Sequence, residues 1–305
     1  MKNLVKFTVT SLVGLACVQG SYALTVDTPT GKQTLPDNPQ RIVILDLGAA
    51  DNLVTLGQQN RVVGIVDSKF FPAYLKTTYT NGKFKNVGTL VQPDLEAIAN
   101  LNPDLIIVSG RQVKIYDQLK QIAPIYNVSL DNVKPYESIV DNFKTIAQLT
   151  GTENKAKELL TALDKKVEAL KAQTSNQKAL VVLVNDRKMS GFGEGSRFSL
   201  VYKFGFTPAV NIGDASSRHG TELNYELINK ADPRFLFVVD RTAALSENKG
   251  NARDTLDNDL VKATSAGKNN GIVYLNSVVW YLAFGGYQGT TEIVDELSTA
   301  LKNSK

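Results

Sequence analysis

Cysteine is nearly missing from this 305-residue chain: its single copy, Cys17, stands within the first 23 residues. Without that stretch the chain has no thiol, no disulfide and no cysteine ligand for a metal. Histidine is as scarce, with His219 alone, which excludes a zinc centre built from several histidines. There is no Gly-x-Ser-x-Gly stretch, and a Ser-His-Asp triad would have to use that same histidine, so an exported α/β enzyme is a distant alternative. Past residue 23 no apolar run reaches the ~20 residues that a membrane-spanning helix needs. A charge excess is lacking too. The formal charge of +4 falls to +2 without Lys2 and Lys6, and no basic run points to nucleic acid.

What is present suits a globular, exported chain. The content of 43% hydrophobic and 21% charged residues can build a proper core, and the length accommodates two domains. Residues 1–23, MKNLVKFTVTSLVGLACVQGSYA, set two lysines before an apolar run and put Ser21 and Ala23 where cleavage needs small residues. An export signal cleaved near Ala23 is expected, with Leu24 opening the mature chain. The Ser-Tyr-Ala site fits better than lipidation of Cys17, because Gly14 stands where the lipid-attachment motif takes leucine.

The stretch 152–174 carries Ala156, Leu159, Leu160, Leu163, Val167 and Leu170 at helical spacing among lysines and glutamates. It predicts one uninterrupted helix, capped by Thr152 and roughly 33 Å long. Before it, RIVILD (41–46) and VVGIVD (62–67) read as buried strands, and helix and strand then alternate. After it the alternation restarts with ALVVLVN (179–185) and runs on to a last helix over 291–302. The expectation is two Rossmann-like α/β lobes, 24–150 and 176–305, joined by a single long helix within 151–175, with a ligand cleft between them.

The lobes repeat one another. LEAIANLNPDLIIVSGR (95–111) lines up without a gap on YELINKADPRFLFVVDR (225–241) at an offset of 130 residues. Glu96 matches Glu226, Ile98 matches Ile228, Pro103 matches Pro233 and Arg111 matches Arg241. Each copy reads as helix, proline turn, buried strand and an arginine past the strand's end, where ligands collect in open α/β sheets. A third arginine, Arg197, follows Gly191, Gly193 and Gly195, which allow a tight turn and close backbone approach. Three guanidinium groups suit an anionic ligand. The glycine loop lacks the Lys-Ser/Thr ending of a phosphate-binding loop.

His219 in DASSRHG, Tyr281 in VVWYLAFGGYQG, and the segments SGRQVKIYDQL, GEGSRFSL and VVDR complete a pattern that resembles the periplasmic substrate-binding proteins of iron-siderophore ABC importers, over nearly the whole chain from Arg41 onward. The nearest likeness is to the branch that binds ferric catecholates, including tetradentate ones. That resemblance implies a monomeric periplasmic protein, not an enzyme, with no intrinsic cofactor, which delivers Fe(III) as its siderophore complex to an inner-membrane ABC permease. It implies His219 and Tyr281 as iron ligands, with Tyr287 the other tyrosine to weigh, and Arg111, Arg197 and Arg241 as contacts to the siderophore oxygens. It implies Glu96 and Glu226 as permease-docking residues. A hard ferric ion accords with phenolate and imidazole donors. Haem, cobalamin or a ferric hydroxamate on the same scaffold is the alternative cargo.

Overall fold

The computed structural model describes residues 23–28, 31–212, 220–246 and 250–304. The leader with Cys17, and His219, lie outside them. The strands are β1 (Leu24–Thr28), β2 (Gly31–Leu35), β3 (Ile42–Ile44), β4 (Val62–Ile65), β5 (Lys85–Asn86), β6 (Leu105–Val108), β7 (Ile125–Asn127), β8 (Lys178–Asn185), β9 (Lys188–Phe192), β10 (Thr207–Pro208), β11 (Thr221–Leu223), β12 (Phe235–Asp240) and β13 (Ile272–Tyr274). The α-helices are α1 (Leu47–Thr55), α2 (Ala73–Tyr79), α3 (Leu95–Asn100), α4 (Tyr116–Ile122), α5 (Pro135–Thr150), α6 (Glu153–Thr174), α7 (Leu200–Lys203), α8 (Tyr225–Ala231), α9 (Arg241–Leu245), α10 (Ala252–Leu256), α11 (Asp259–Lys262), α12 (Ser265–Lys268) and α13 (Tyr287–Asn303). None of the described helices is long and apolar enough to cross a membrane.

Two separate sheets follow from the two alternating runs. The first has order β5-β4-β3-β6-β7 with every neighbour parallel. Ile42–Ile44 and Leu105–Val108 are buried throughout, as strands covered on both faces must be. The second has order β11-β9-β8-β12-β13, with β10 beside β8. Here β8, β12 and β13 are parallel, while β9 folds back antiparallel on β8. The glycine stretch turns as expected over Gly193–Ser196, where Ser196 N donates to the Gly193 carbonyl at 3.3 Å and Gly195 holds φ at 75°. A further turn was not expected: Asp186 and Arg187, at φ 48° and 67°, join Asn185 to Lys188 as a two-residue hairpin loop whose positive φ values match the strand twist. Gly191 lies inside β9, with its α-carbon so close to Leu223 and Ile212 that a Cβ there would stand 2.5 Å from Ile212.

The long helix forms as its periodicity predicts. Ala156 and Leu160 enter the core of the first lobe, and Leu163, Val167 and Leu170 that of the second. Its start differs from the expectation: the Thr152 hydroxyl turns back towards α5, 3.0 Å from the Thr150 hydroxyl, and caps nothing in α6. Gly151, at φ 67°, ends α5 in the left-handed region where glycine has no Cβ penalty.

A second crossing was not anticipated. Between β13 and α13, Val279 and Trp280 pack in the core of the second lobe, and Leu282 and Ala283 in that of the first. The C-terminal helix then packs against both α1 and α6. The lobes are thus tied twice, by α6 and by the returning 279–303 segment.

Candidate functional site

Tyr281 stands at the middle of that second crossing. Residues Val279–Ala283 form a wide π-turn, a geometry that adds a residue to the helical turn and recurs at functional sites. Val279, Trp280, Leu282 and Ala283 are all buried, so the turn is held on both flanks while Tyr281 remains half-buried at the cleft. Trp280 is fixed further by its indole N–H, which donates to Glu296 Oε2 of α13 at 2.8 Å.

The three predicted arginines meet at this tyrosine. Arg111 Nη2 donates to its carbonyl at 2.7 Å and Arg197 Nη2 to the same oxygen at 3.0 Å, while Arg241 Nε donates to its hydroxyl at 2.9 Å. Arg241 is steadied by Asn185 Oδ1 at 3.0 Å. The Arg197 guanidinium lies 4.4 Å from the centre of the Tyr281 ring and 4.9 and 5.7 Å from those of Phe198 and Phe284. Aromatic faces attract it but do not neutralise it. Among the described residues none of the three forms an ion pair with a carboxylate.

Charge crowding shows in the titration of the groups. Burial, then the charges of Arg111 and Arg241, lower the Arg197 pKa to about 10 against the pull of Tyr281. Burial pushes the Tyr281 phenol up, but the Arg241 hydrogen bond and the charges of Arg197, Arg241 and Arg111 outweigh it and hold the phenol below its ordinary value. The phenolate form is thus easier to reach at Tyr281 than at an ordinary tyrosine. Tyr287 is engaged elsewhere: its hydroxyl donates to the Leu159 carbonyl at 3.1 Å and its ring stacks on Phe143 at 5.3 Å.

Arg111, Arg197 and Tyr281 line a cleft of about 450 Å³ between the lobes, and Arg241 meets it through its bond to the Tyr281 hydroxyl. Its walls include Asp46, Asn52, Ser109, Leu130, Asn132 and Phe284, none of which was singled out from the sequence. Asp46 ends the RIVILD run, and its place at a strand's carboxyl end was the signal available. Its carboxylate caps α1, accepting from Ala49 N at 3.0 Å. Burial raises its pKa, opposed by that cap and by Arg111.

Glu96 and Glu226 lie far from this chemistry in role and alike in setting, exposed in the first turns of α3 and α8. Asp94 caps α3 at 2.9 Å and Asn224 caps α8 at 2.8 Å, at matching positions of the repeat. His219 lies outside the described residues; Gly220 after it, at φ 71°, packs so tightly on the Gly191 carbonyl that a Cβ would stand 2.6 Å away.

Residues 42–279 match the family described as Periplasmic binding protein. The chain is 36% identical over 271 residues to the petrobactin-binding protein YclQ of Bacillus subtilis (strain 168), covering 88% of this chain and 84% of YclQ. The crystal structure of YclQ superposes with a TM-score of 0.86 at 34% identity, over 92% of this chain and 99% of that one. The ferric-anguibactin-binding protein FatB of Vibrio anguillarum is 28% identical over 274 residues, 88% of this chain and 84% of FatB. The periplasmic catecholate-siderophore binding protein VctP of Vibrio cholerae superposes with a TM-score of 0.84 at 32% identity, over 91% of this chain and 99% of VctP.

Proposed function

This chain belongs to the periplasmic binding protein family, and on that footing we propose that it captures an anionic ferric siderophore between its lobes and delivers it to an ABC permease for iron uptake. The observation that carries the reading is the convergence of Arg111, Arg197 and Arg241 on Tyr281, with no carboxylate partner among the described residues. A ferric catecholate is a net anion whose oxygens can accept from guanidinium forks. The donors now spent on Tyr281 can turn to such oxygens. The named relatives YclQ, FatB and VctP, whose cargoes are petrobactin, ferric anguibactin and catecholate siderophores, support the same class of cargo.

The binding mode is charge neutralisation joined to completion of the iron shell. For a tetradentate catecholate, Tyr281 as phenolate and His219 as imidazole occupy the two iron positions that the siderophore leaves open. The lowered phenol pKa supports the first of these roles. Glu96 and Glu226, one on each lobe, serve as the docking contacts for a two-fold permease. The chain is exported through residues 1–23 and acts as a monomer in the periplasm. No bond of the siderophore is made or broken. Because the lobes are tied by α6 and again by the 279–303 segment, closure on binding is small.

The test is a titration of the protein lacking residues 1–23 with ferric bis-catecholate, following Trp280, the one tryptophan of the chain. Tight, saturable quenching is expected, with Tyr281→Phe and His219→Ala weaker and shifted in the visible charge-transfer band. Binding by both variants indistinguishable from that of the wild type would remove the shell-completion mechanism. Absence of quenching by any ferric catecholate would remove the catecholate class.

A further inference from the structure

The first turn of α13 is capped by a different helix. Gly286, its N-cap residue, offers no side chain to the free N–H groups that open any α-helix. Two residues of α1 supply the acceptors instead. Asn52 Oδ1 accepts from Tyr287 N at 2.9 Å, and Asp51 Oδ2 accepts from Gly289 N at 2.8 Å. Both side chains are about as buried as any in the molecule, each 1% exposed. Asp51 is oriented in turn by the Thr55 hydroxyl, which donates to Oδ1 at 3.0 Å. Burying two polar side chains this deeply is costly unless their bonds are made, so the pair specifies one seating of α13 on α1.

The chain just before α13 is pressed onto α1 as well. A Cβ on Gly48 would lie 2.9 Å from Gly285 C and Gly286 N, and one on Gly286 would lie 2.3 Å from Asp51 Oδ2. Backbone therefore meets backbone at this point, and Gly285 can hold φ at 108°. Gly285 and Asn52 also line the cleft. From Gly285 the chain leads directly back through Ala283 and Leu282 to Tyr281. On the other flank Trp280 is bonded to Glu296 of the same α13. Tyr281 is thus suspended between two attachments to one helix, and the seating of that helix is set by α1.

We propose that Asp51, Asn52 and Gly48 are positioning residues for Tyr281: by capping and seating α13 from the first lobe, they set where the tyrosine stands relative to Arg111. None of the three is proposed to touch the iron. The inference rests on the reading of Tyr281 as an iron ligand for its effect on binding, and on geometry alone for its effect on the 279–289 turn.

The experiment compares Asn52→Ala, Asp51→Ala and Gly48→Ala with wild type and Tyr281→Phe, using two probes: ferric bis-catecholate, with two iron positions open, and ferric tris-catecholate, with none. Hydrogen exchange of the 279–289 amides is followed in parallel. The expected result is a loss of about tenfold in affinity for the bis complex and less than about twofold for the tris complex. Combined with Tyr281→Phe, Asn52→Ala should add almost nothing, and exchange should speed up over 279–289 but not over the last turns of α13. Gly48→Ala removes no hydrogen-bonding side chain and acts by forcing the 285–286 backbone away from α1, so it tests the seating apart from the loss of a polar group. Unchanged exchange over 279–289 overturns the inference whatever the ligand, as does equal loss for both probes. If exchange accelerates while Tyr281→Phe binds both probes like wild type, the clamp stands and the reading of Tyr281 as an iron ligand falls.

Discussion

The two lobes run the same local program and then part. In both, a polar residue caps a short helix, an isoleucine at the matched position (Ile98, Ile228) is wholly buried, and a left-handed residue (Asn102 at φ 44°, Asp232 at φ 41°) precedes a proline and a buried strand. Arg111 and Arg241 follow at the matched position. Yet Arg111 lies in a tight turn held by Ser109 and Gln112 and donates to the Tyr281 carbonyl, whereas Arg241 opens α9 behind the Asp240 cap and donates to the Tyr281 hydroxyl. Arg197 has no counterpart at all: it stands beyond the antiparallel β9, where the first lobe has the parallel β4. The repeat builds two similar walls, and the unrepeated parts, the β8–β9 hairpin and the 279–286 return, make the cleft chemically one-sided.

If that division holds, removing the unrepeated arginine should cost more than removing either repeated one. Arg197→Ala deletes the guanidinium that lies against three aromatic rings, those of Phe198, Tyr281 and Phe284, and a charge-assisted bond in such surroundings is worth about 1.5–3 kcal/mol. A loss of about 100-fold in affinity for a ferric bis-catecholate is expected, against about tenfold for Arg111→Ala and for Arg241→Ala. Fluorescence titration of the three variants ranks them. Equal losses would mean that the walls, and not the loop after β9, dominate.

Alkaline pH probes the same asymmetry without mutation. Arg197 has its pKa lowered to about 10, so its charge is complete at pH 8 and lost as pH rises through about 10. Affinity for the ferric complex should fall by about tenfold between pH 8.5 and 10.5 as one cation is removed. In Arg197→Ala that part of the decline should vanish. A profile identical in wild type and variant would place the titration elsewhere.

Which features were readable beforehand follows from their range. The alternation of helix and strand, the 130-residue repeat and the three arginines are local patterns, and each fell where the sequence placed it. The meeting of Arg111 with Tyr281 joins positions 170 residues apart, and only the tertiary path of the return segment decides it. The hairpin at Asp186–Arg187 was obscured because glycines four to nine residues further on carry a stronger turn signal than Asn-Asp-Arg-Lys. Asn52 and Asp51 read as ordinary helix residues; what makes them special is the helix they face, 235 and 238 residues away. Asp46 had a usable signal in its strand-end position.

The second tie between the lobes should show its own pH dependence. Burial raises the Asp51 pKa from 3.8 to about 7, against the lowering effects of Gly289 N, the Thr55 hydroxyl and Gln288 N, with Glu292 adding to the rise. A carboxyl whose folded pKa exceeds its unfolded one contributes stability that is complete below about pH 4 and is lost as pH rises through 7. Asp51→Asn keeps an acceptor and cannot ionise. It should gain about 1 kcal/mol over wild type at pH 8, a rise of about 2–4 °C in Tm, with the gain disappearing near pH 4. Thermal unfolding at the two pH values decides it, with Glu292→Gln as the control for the neighbouring carboxyl, whose pKa burial also raises.

The smallest effect expected is also the most symmetric. Glu96 and Glu226 occupy matched, exposed positions, and neither touches the cleft, so replacing either by alanine should leave siderophore affinity unchanged. Each exposed ion pair made with a permease contributes about 0.2–1 kcal/mol. Single variants should therefore slow delivery by about threefold, measured as stimulation of permease ATPase activity in proteoliposomes, and the two should be alike within error. The double variant should approach the product of the singles, because the sites sit on separate lobes and share no partner. Unequal singles would show that the permease reads the lobes differently, and the symmetry that organises the cleft walls would then stop short of the docking face.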